Sequence, residues 1–391
     1  VTERTAGRRL PAAWAEVLGE LALTAAAVAL ALLAGAALLA LAGYDVRDAY
    51  YNLWDGAFGS VYSVADTLVN AMPLLFAGLA VAFAFRGGLF NIGAEGQLYA
   101  GALATAVTAA ALAEWPSVPL IAAAMLAGAL AGGLWGLVPG ALKAKTGAHE
   151  VITTIMLNYV AILLTTHLVK QYFKAPGPVD QTALIPAHAR LPELIAGTRL
   201  TWAVVIGVVL VAAVDWLLRR TSFGFDVVLV GSNPGAAVYA GVPVAARTVW
   251  TMAVSGAVAG LAGSTMVLGV LYRFIANFSP GYGFTAVAVA LVARARPWGV
   301  LPAAVLFGAL QAGGLTMQLF ARIPADLMTA VQGLVILFVA APGLLYAWRR
   351  LPVAAPRAGT AMTMTAETAA EGAAETAAGP DNETARREAG P

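Results

Sequence analysis

Apolar runs separated by short polar breaks fill most of this chain. Ten can be marked, at 21–42, 67–85, 98–113, 117–142, 151–169, 200–218, 249–272, the shorter 284–293, 297–321 and 327–348. A bilayer span needs roughly 20 apolar residues, so the pattern predicts an all-α polytopic integral membrane protein with about ten transmembrane helices. Arg4, Arg8 and Arg9 precede the first run. That run exceeds the roughly 7 to 15 apolar residues of a signal-peptide core, so it reads as an uncleaved span with its N-terminus inside. Arg86, Lys143 with Lys145, Arg219 with Arg220, and Arg349, Arg350 and Arg357 then mark further inner ends, which puts the C-terminus inside too. Segment 43–66, with Asp45, Asp48, Asp55 and Asp66 beside Tyr44, Tyr50, Tyr51 and Trp54, reads as an outer stretch with an interfacial aromatic belt. Lys170, Lys174, Arg190 and Arg199, in the outer connection 170–199, run against the positive-inside bias.

Two breaks differ from plain loops. Between Arg86 and Leu98 the chain holds Gly87, Gly88, Gly93 and Gly96 together with Asn91, Glu95 and Gln97. Glycines permit an unwound backbone, and the polar side chains supply hydrogen-bonding groups at membrane depth, which predicts a broken helix lining a translocation path. The bland alternative is a surface loop with Arg86 as its anchor. Segment 273–284 echoes the pattern, with an Arg, aromatics, Asn277, a glycine-rich break, Tyr282 and a small-residue helix. Arg86 falls inside and Arg273 outside, so the two units are expected to form an inverted repeat with re-entrant segments. In the fifth run Glu150, Thr154, Asn158 and Thr165 lie within about 80° of one another at 100° per residue, giving one polar stripe. Thr154 and Thr165 read as interhelical hydrogen-bonding groups. Glu150 suits either a helix N-terminus or a pathway, and Asn158 is costly enough at depth to suggest function.

Small residues recur every fourth position at Gly128, Gly132, Gly136 and Gly140, and again at Gly256, Gly260 and Ser264, giving two faces that let a neighbouring helix approach closely. Asp215 and Arg219 are spaced for an i, i+4 pair. The connection 221–248 is too polar to span. Within it Asn233 is an N-cap candidate, Pro234 suits the first helical position and Gly241 the stop, which predicts a short capped helix. The segment from 352 lacks apolar periodicity and reads as a disordered tail.

Composition narrows the function. The 391 residues are 60 % hydrophobic and 11 % charged, with a net charge of +2, three His and no Cys. Nothing suggests nucleic-acid binding, thiol chemistry or a metal site. Few ionisable groups lie within the runs, which fits a neutral, polar solute better than a charged one. Phe90, Tyr99 and Tyr282 offer aromatic surface near the breaks, although packing explains each of them.

The segments 91–97 (Asn-Ile-Gly-Ala-Glu-Gly-Gln), 149–159, 231–241 and 279–284 resemble, in the same order, the membrane subunits of ABC importers for nucleosides, relatives of the ribose-type and branched-chain amino acid permeases. The resemblance implies an ABC importer transmembrane domain over 19–351, with a cytoplasmic N-terminal segment 1–18, a coupling loop 219–248 and a cytoplasmic tail 352–391. It implies a bacterial cell-membrane location and three kinds of partner besides the bilayer: cytoplasmic ATPase subunits, a second homologous permease and an extracytoplasmic substrate-binding lipoprotein. No cofactor is expected on this chain, ATP and Mg being used by the ATPase, and the chain lacks G-x-x-x-x-G-K-[ST]. Asn91, Glu95, Gln97, Glu150, Asn158, Asn277 and Tyr282, the polar groups of the two breaks and of the stripe, are candidates for the substrate pathway. By the same resemblance Gly231, Asn233, Pro234, Ala236, Ala237, Tyr239 and Gly241 are candidates for ATPase coupling. A ribose-type sugar permease and an ion-coupled secondary transporter are the alternatives.

Overall fold

The computed structural model describes residues 26–350, with side chains as far as 338. Of the described residues, those up to 340 form one compact unit. The predicted N-terminal segment 1–18, the start of the first run and the tail 352–391 lie outside the described residues. The described helices are α1 (Ala26–Leu41), α2 (Val46–Phe58), α3 (Val61–Arg86), α4 (Ala94–Ala111), α5 (Ser117–Thr146), α6 (Glu150–Leu168), α7 (Ala203–Arg220), α8 (Ser222–Ser232), α9 (Pro234–Tyr239), α10 (Val244–Met266), α11 (Tyr282–Val292), α12 (Pro297–Phe320) and α13 (Ala325–Arg350). Each of the ten apolar runs falls on a helix. Five helical stretches, Val61–Arg86, Ser117–Thr146, Glu150–Phe173, Val244–Leu271 and Pro297–Phe320, are individually long and apolar enough to cross a membrane.

α2 and α8 are helices that the hydrophobic pattern did not announce. The 43–66 segment is largely helical because Asp45 caps it, its Oδ1 accepting from the backbone N–H of Arg47 at 2.8 Å and of Asp48 at 3.2 Å. α2 then lies on α12 at backbone distance, where a Cβ added at Gly313 would fall 2.2 Å from the Leu53 carbonyl oxygen. The Tyr50 hydroxyl donates to the Leu32 carbonyl and ties α2 to α1.

α3 is buried along most of its length among α10, α11 and α12. α6 buries the predicted polar stripe of Glu150, Thr154, Asn158 and Thr165, with Ala161, and leaves Ile152, Met156, Tyr159 and Leu163 outward. The threonines differ from expectation: Thr154 and Thr165 each donate to a carbonyl of their own helix, Glu150 and Ala161, at 2.7 Å. This back-bonding satisfies a hydroxyl without crossing to a neighbour.

The two small-residue faces pack against each other. An added Cβ at Gly132 would lie 2.4 Å from the Gly256 carbonyl oxygen, and one at Gly260 would lie 2.3 Å from the Gly128 carbonyl oxygen. Gly136 meets the Met252 carbonyl in the same way at 2.5 Å. α5 and α10 are therefore antiparallel with their backbones in contact. α4 completes a triple packing: Thr105 and Ser264 share a hydroxyl hydrogen bond at 2.8 Å, and Gly101 abuts Gly260.

Three of the four basic residues that opposed the charge bias have local partners. Lys174 pairs with Asp180 at 2.6 Å, Arg199 with Asp66 at 3.1 Å, and Arg190 sits 4.5 Å from the centre of the Tyr272 ring. The Lys174 ammonium holds the half-buried Asp180 carboxyl below its usual range. Arg219 pairs with Asp215 at 2.8 Å, as the spacing predicts.

Gly132→Leu should cost at least about 2 kcal/mol, because no side chain fits between two touching backbones. Gly333→Ala meets nothing within 4 Å and should change stability by no more than about 1 kcal/mol. Thermal midpoints of the detergent-purified chain compare the two.

Candidate functional site

The break between α3 and α4 is short, and its polar groups turn inward. Asn91 is 0 % exposed and Glu95 2 %. The Asn91 and Gln97 amides bond reciprocally: Asn91 Nδ2 donates to Gln97 Oε1 at 2.8 Å, and Gln97 Nε2 donates to Asn91 Oδ1 at 3.0 Å. Asn91 Nδ2 also donates to Ser255 Oγ at 2.7 Å, and Ser255 passes its own proton to the Ala80 carbonyl at 2.6 Å. Asn158 reaches in from α6, donating to the Ile92 carbonyl and accepting from the Gly96 N–H, both at 2.8 Å. One knot of amides thus joins α3, α4, α6 and α10 at Ser255, well inside the helical stretch Val244–Leu271.

The second break meets the first. After α10 the chain continues as a π-helical turn, Val267–Leu271, and then turns back beside α4. Tyr99 packs on Phe278 with ring centres 4.8 Å apart and on Phe274 at 6.2 Å, and its hydroxyl accepts from the Ser279 N–H at 3.2 Å. α11 starts next to the first turn of α4, where a Cβ at Gly283 would lie 2.2 Å from the Glu95 backbone nitrogen. The Gly283 N–H donates to Glu95 Oε2 at 2.5 Å. The N-termini of α4 and α11 abut, and a carboxylate sits between them. Helix N-termini carry unsatisfied N–H groups and partial positive charge, so this placement supplies donors to a buried carboxyl group.

The remaining pathway candidates divide. Tyr282 belongs to the junction, with its N–H on Ser279 Oγ at 3.0 Å. Glu150 lies at its edge in an ion pair with Lys143 at 2.6 Å, which ties the end of α5 to the start of α6. Asn277 stands apart: it is exposed, at φ +56°, in a loop whose Ala276 N–H bonds the Asp180 carbonyl. Tyr99 is enclosed by aromatics, whereas Phe90 is exposed beside Phe85. Sequence reasoning missed Ser255. The signal was present in Thr248, Thr251 and Ser255, a buried polar face at helical spacing on α10.

The predicted short helix is present as α9. Asn233 Oδ1 accepts from the Ala236 N–H at 3.0 Å, Pro234 is the first helical residue and Gly241 has φ +78°. Of the coupling candidates on it, Ala237 is 0 % exposed and turned inward, while Tyr239 is 96 % exposed, with Val238 also outward. A six-residue helix cannot present every position, and the apolar methyl nearest the bundle is the one covered. α8 precedes it and is fastened to α10 by Arg247 and Asp226 at 2.8 Å, with the guanidinium 5.3 Å from the centre of the Phe223 ring. At its end, a Cβ on Gly231 would lie 2.3 Å from the Arg86 carbonyl oxygen and 2.6 Å from the Gly88 nitrogen. The loop carrying α9 therefore bears directly on the α3–α4 break.

The family model for the permease component of branched-chain amino acid transport systems matches residues 63–340. The chain belongs to this permease family. Among curated relatives, the permease is 37 % identical to the guanosine ABC transporter permease protein NupP of Bacillus subtilis over 319 residues, 80 % of this chain and 91 % of that one. It is 33 % identical to the nucleoside ABC transporter permease protein NupB of Lactococcus lactis over 326 residues, 80 % and 89 % of the two chains. It is 36 % identical to the glucose ABC transporter permease protein TsgB13 of Haloferax volcanii over 317 residues, 78 % and 83 %. No solved structure matches the chain. The permease is thus a multi-pass membrane subunit of an ABC transporter and not an enzyme, which sets aside the ion-coupled alternative.

Asn158 both donates and accepts within the permease core, each time at a backbone group at or beside the α3–α4 break. Asn158→Leu, which leaves two buried backbone groups unsatisfied, should cost about 2–4 kcal/mol, and Asn158→Asp less. Thermal unfolding of the purified permease gives the order.

Proposed function

We propose that this permease is one half of the translocation unit of an ATP-driven importer of nucleosides. The observation that carries the reading is the extended likeness, across about nine-tenths of their lengths, to permeases named for guanosine and nucleosides. The scarcity of ionisable groups within the spans agrees with a neutral solute. In this reading 19–351 is the permease domain, 1–18 and 352–391 flank it in the cytoplasm, and a lipoprotein delivers substrate at the opposite end. A second, homologous permease completes the pathway.

The Asn91, Glu95, Gln97, Asn158 and Tyr282 junction borders the path and acts as its pivot, with Glu150 at the edge and Asn277 at the far rim. Its hydrogen bonds are spent within the protein in this conformation, so substrate passage requires the two breaks to part at Glu95 and Gly283. α9 docks on a cytoplasmic ATPase, which consumes the ATP and Mg. Tyr239 and Val238 are the groups offered, Asn233, Pro234, Ala236 and Gly241 shape the helix, and Gly231 carries its displacement to the α3–α4 break.

A sugar reading has one specific support, the 36 % identity to a glucose permease. Proteoliposomes holding the permease with its ATPase, partner permease and binding protein should accumulate labelled guanosine when ATP is supplied to the ATPase side, and not labelled glucose. Glucose accumulation without guanosine would establish the sugar reading instead.

Tyr239→Ala should lower ATPase recovery on the permease about tenfold, the scale of an exposed aromatic anchor, at unchanged membrane abundance. Glu95→Ala should abolish uptake, and Glu95→Gln, which keeps an acceptor for Gly283, should retain part of it. Uptake at the wild-type rate in Glu95→Ala would remove Glu95 from the pathway.

A further inference from the structure

At the end of the bundle opposite α8 and α9, a cavity of about 870 Å³ opens between the start of α5 and the loop 187–193. Its two walls differ in chemistry. Val118, Ile121 and Met125 of α5 form an apolar wall that continues into the outward leucines Leu126 and Leu130. The other wall brings Arg190 and Glu193 together with Trp202 and Tyr272.

Arg190 is the informative group. Its guanidinium stacks on the Tyr272 ring, and its Nε is buried without a hydrogen-bond acceptor. A buried N–H left unpaired is costly, more so on a charged group. Ser117, which also lines the cavity, opens α5 with no side-chain cap, so the Ser117 and Val118 N–H groups have no partner within the helix. Donors of this kind suit a phosphate, which an Arg holds through two N–H groups. Glu193 supplies the opposite charge. One of its oxygens accepts from the Gly197 N–H at 3.1 Å, leaving the other available. A half-exposed Trp202 marks the depth at which headgroups lie.

We propose that this cavity binds a phospholipid whose headgroup carries a primary ammonium: the phosphate on Arg190, the ammonium toward Glu193 and an acyl chain along Val118, Ile121 and Met125. The site is separate from the junction and from α9, and does not depend on which solute is carried.

Thermal unfolding of the full chain in detergent tests it, with dioleoylphosphatidylethanolamine, dioleoylphosphatidylglycerol, dioleoylglycerol or inorganic phosphate added. The expected result is a raised midpoint with phosphatidylethanolamine, a smaller rise with phosphatidylglycerol, and none with dioleoylglycerol or inorganic phosphate. In Arg190→Gln the lipid concentration for half the effect should rise about tenfold. Ala122→Trp, which fills the apolar wall from its exposed side and leaves Arg190 intact, should abolish the response and decides the matter if Arg190→Gln does not fold. An equal rise with dioleoylglycerol, or an unchanged lipid response in Ala122→Trp, would overturn the proposal. An equal rise with phosphatidylglycerol would overturn the part given to Glu193.

Discussion

The backbone contact between α5 and α10 sets the geometry on which the rest of the bundle depends. Gly128, Gly132 and Gly136 lie against Met252, Gly256 and Gly260 with no side chains between them. In a membrane there is little hydrophobic drive to associate helices, so van der Waals contact over a long, flat interface takes that role. The closeness has a further effect. Because α10 is drawn to α5, Ser255 and the amides that bond it lie within one layer, and Gln97 Nε2 comes near Gly136. A bulkier interface would separate the rungs that the polar junction needs.

The junction illustrates how polar groups are kept at depth. Asn91, Gln97 and Asn158 use both donor and acceptor functions on one another or on interrupted backbone. Irregular backbone is stable in such surroundings only when its freed N–H and C=O groups find partners. The break between α3 and α4 is therefore both the cause of the polar cluster and its beneficiary. Glu95 differs, since it bonds across to the second break and not within its own.

Much of this was legible in the sequence because lipid makes a simple demand: long apolar helices, small residues where they touch, and a cap where a short one begins. The ten runs, the Gly128–Gly140 and Gly256–Ser264 faces, the Asp215 and Arg219 pair and the Asn233 cap all follow from local spacing. What stayed hidden depended on partners far along the chain. Nothing near Ser255 announces Asn91, 164 residues away. Ala237 looks as available as Ala236 until the bundle beneath it is in place. α2 was obscured because its aromatics and carboxylates suit an interfacial loop as well as a helix, and the Asp45 cap and the crossing at Gly313 together decide.

The joint between Gly231 and residues 86–88 has a mechanical character of its own. Two backbones in contact resist being driven together steeply and resist separation hardly at all, since dispersion between a few atoms is weak. As a contact it would act as a strut more than as a tie, bearing compression between α8 and the α3–α4 break better than tension. Tension needs a link that holds, and the Arg247 and Asp226 ion pair supplies one between α8 and α10. Compression at this joint would be borne by backbone and be indifferent to salt, whereas tension between α8 and α10 would be borne by a charged pair and be sensitive to it.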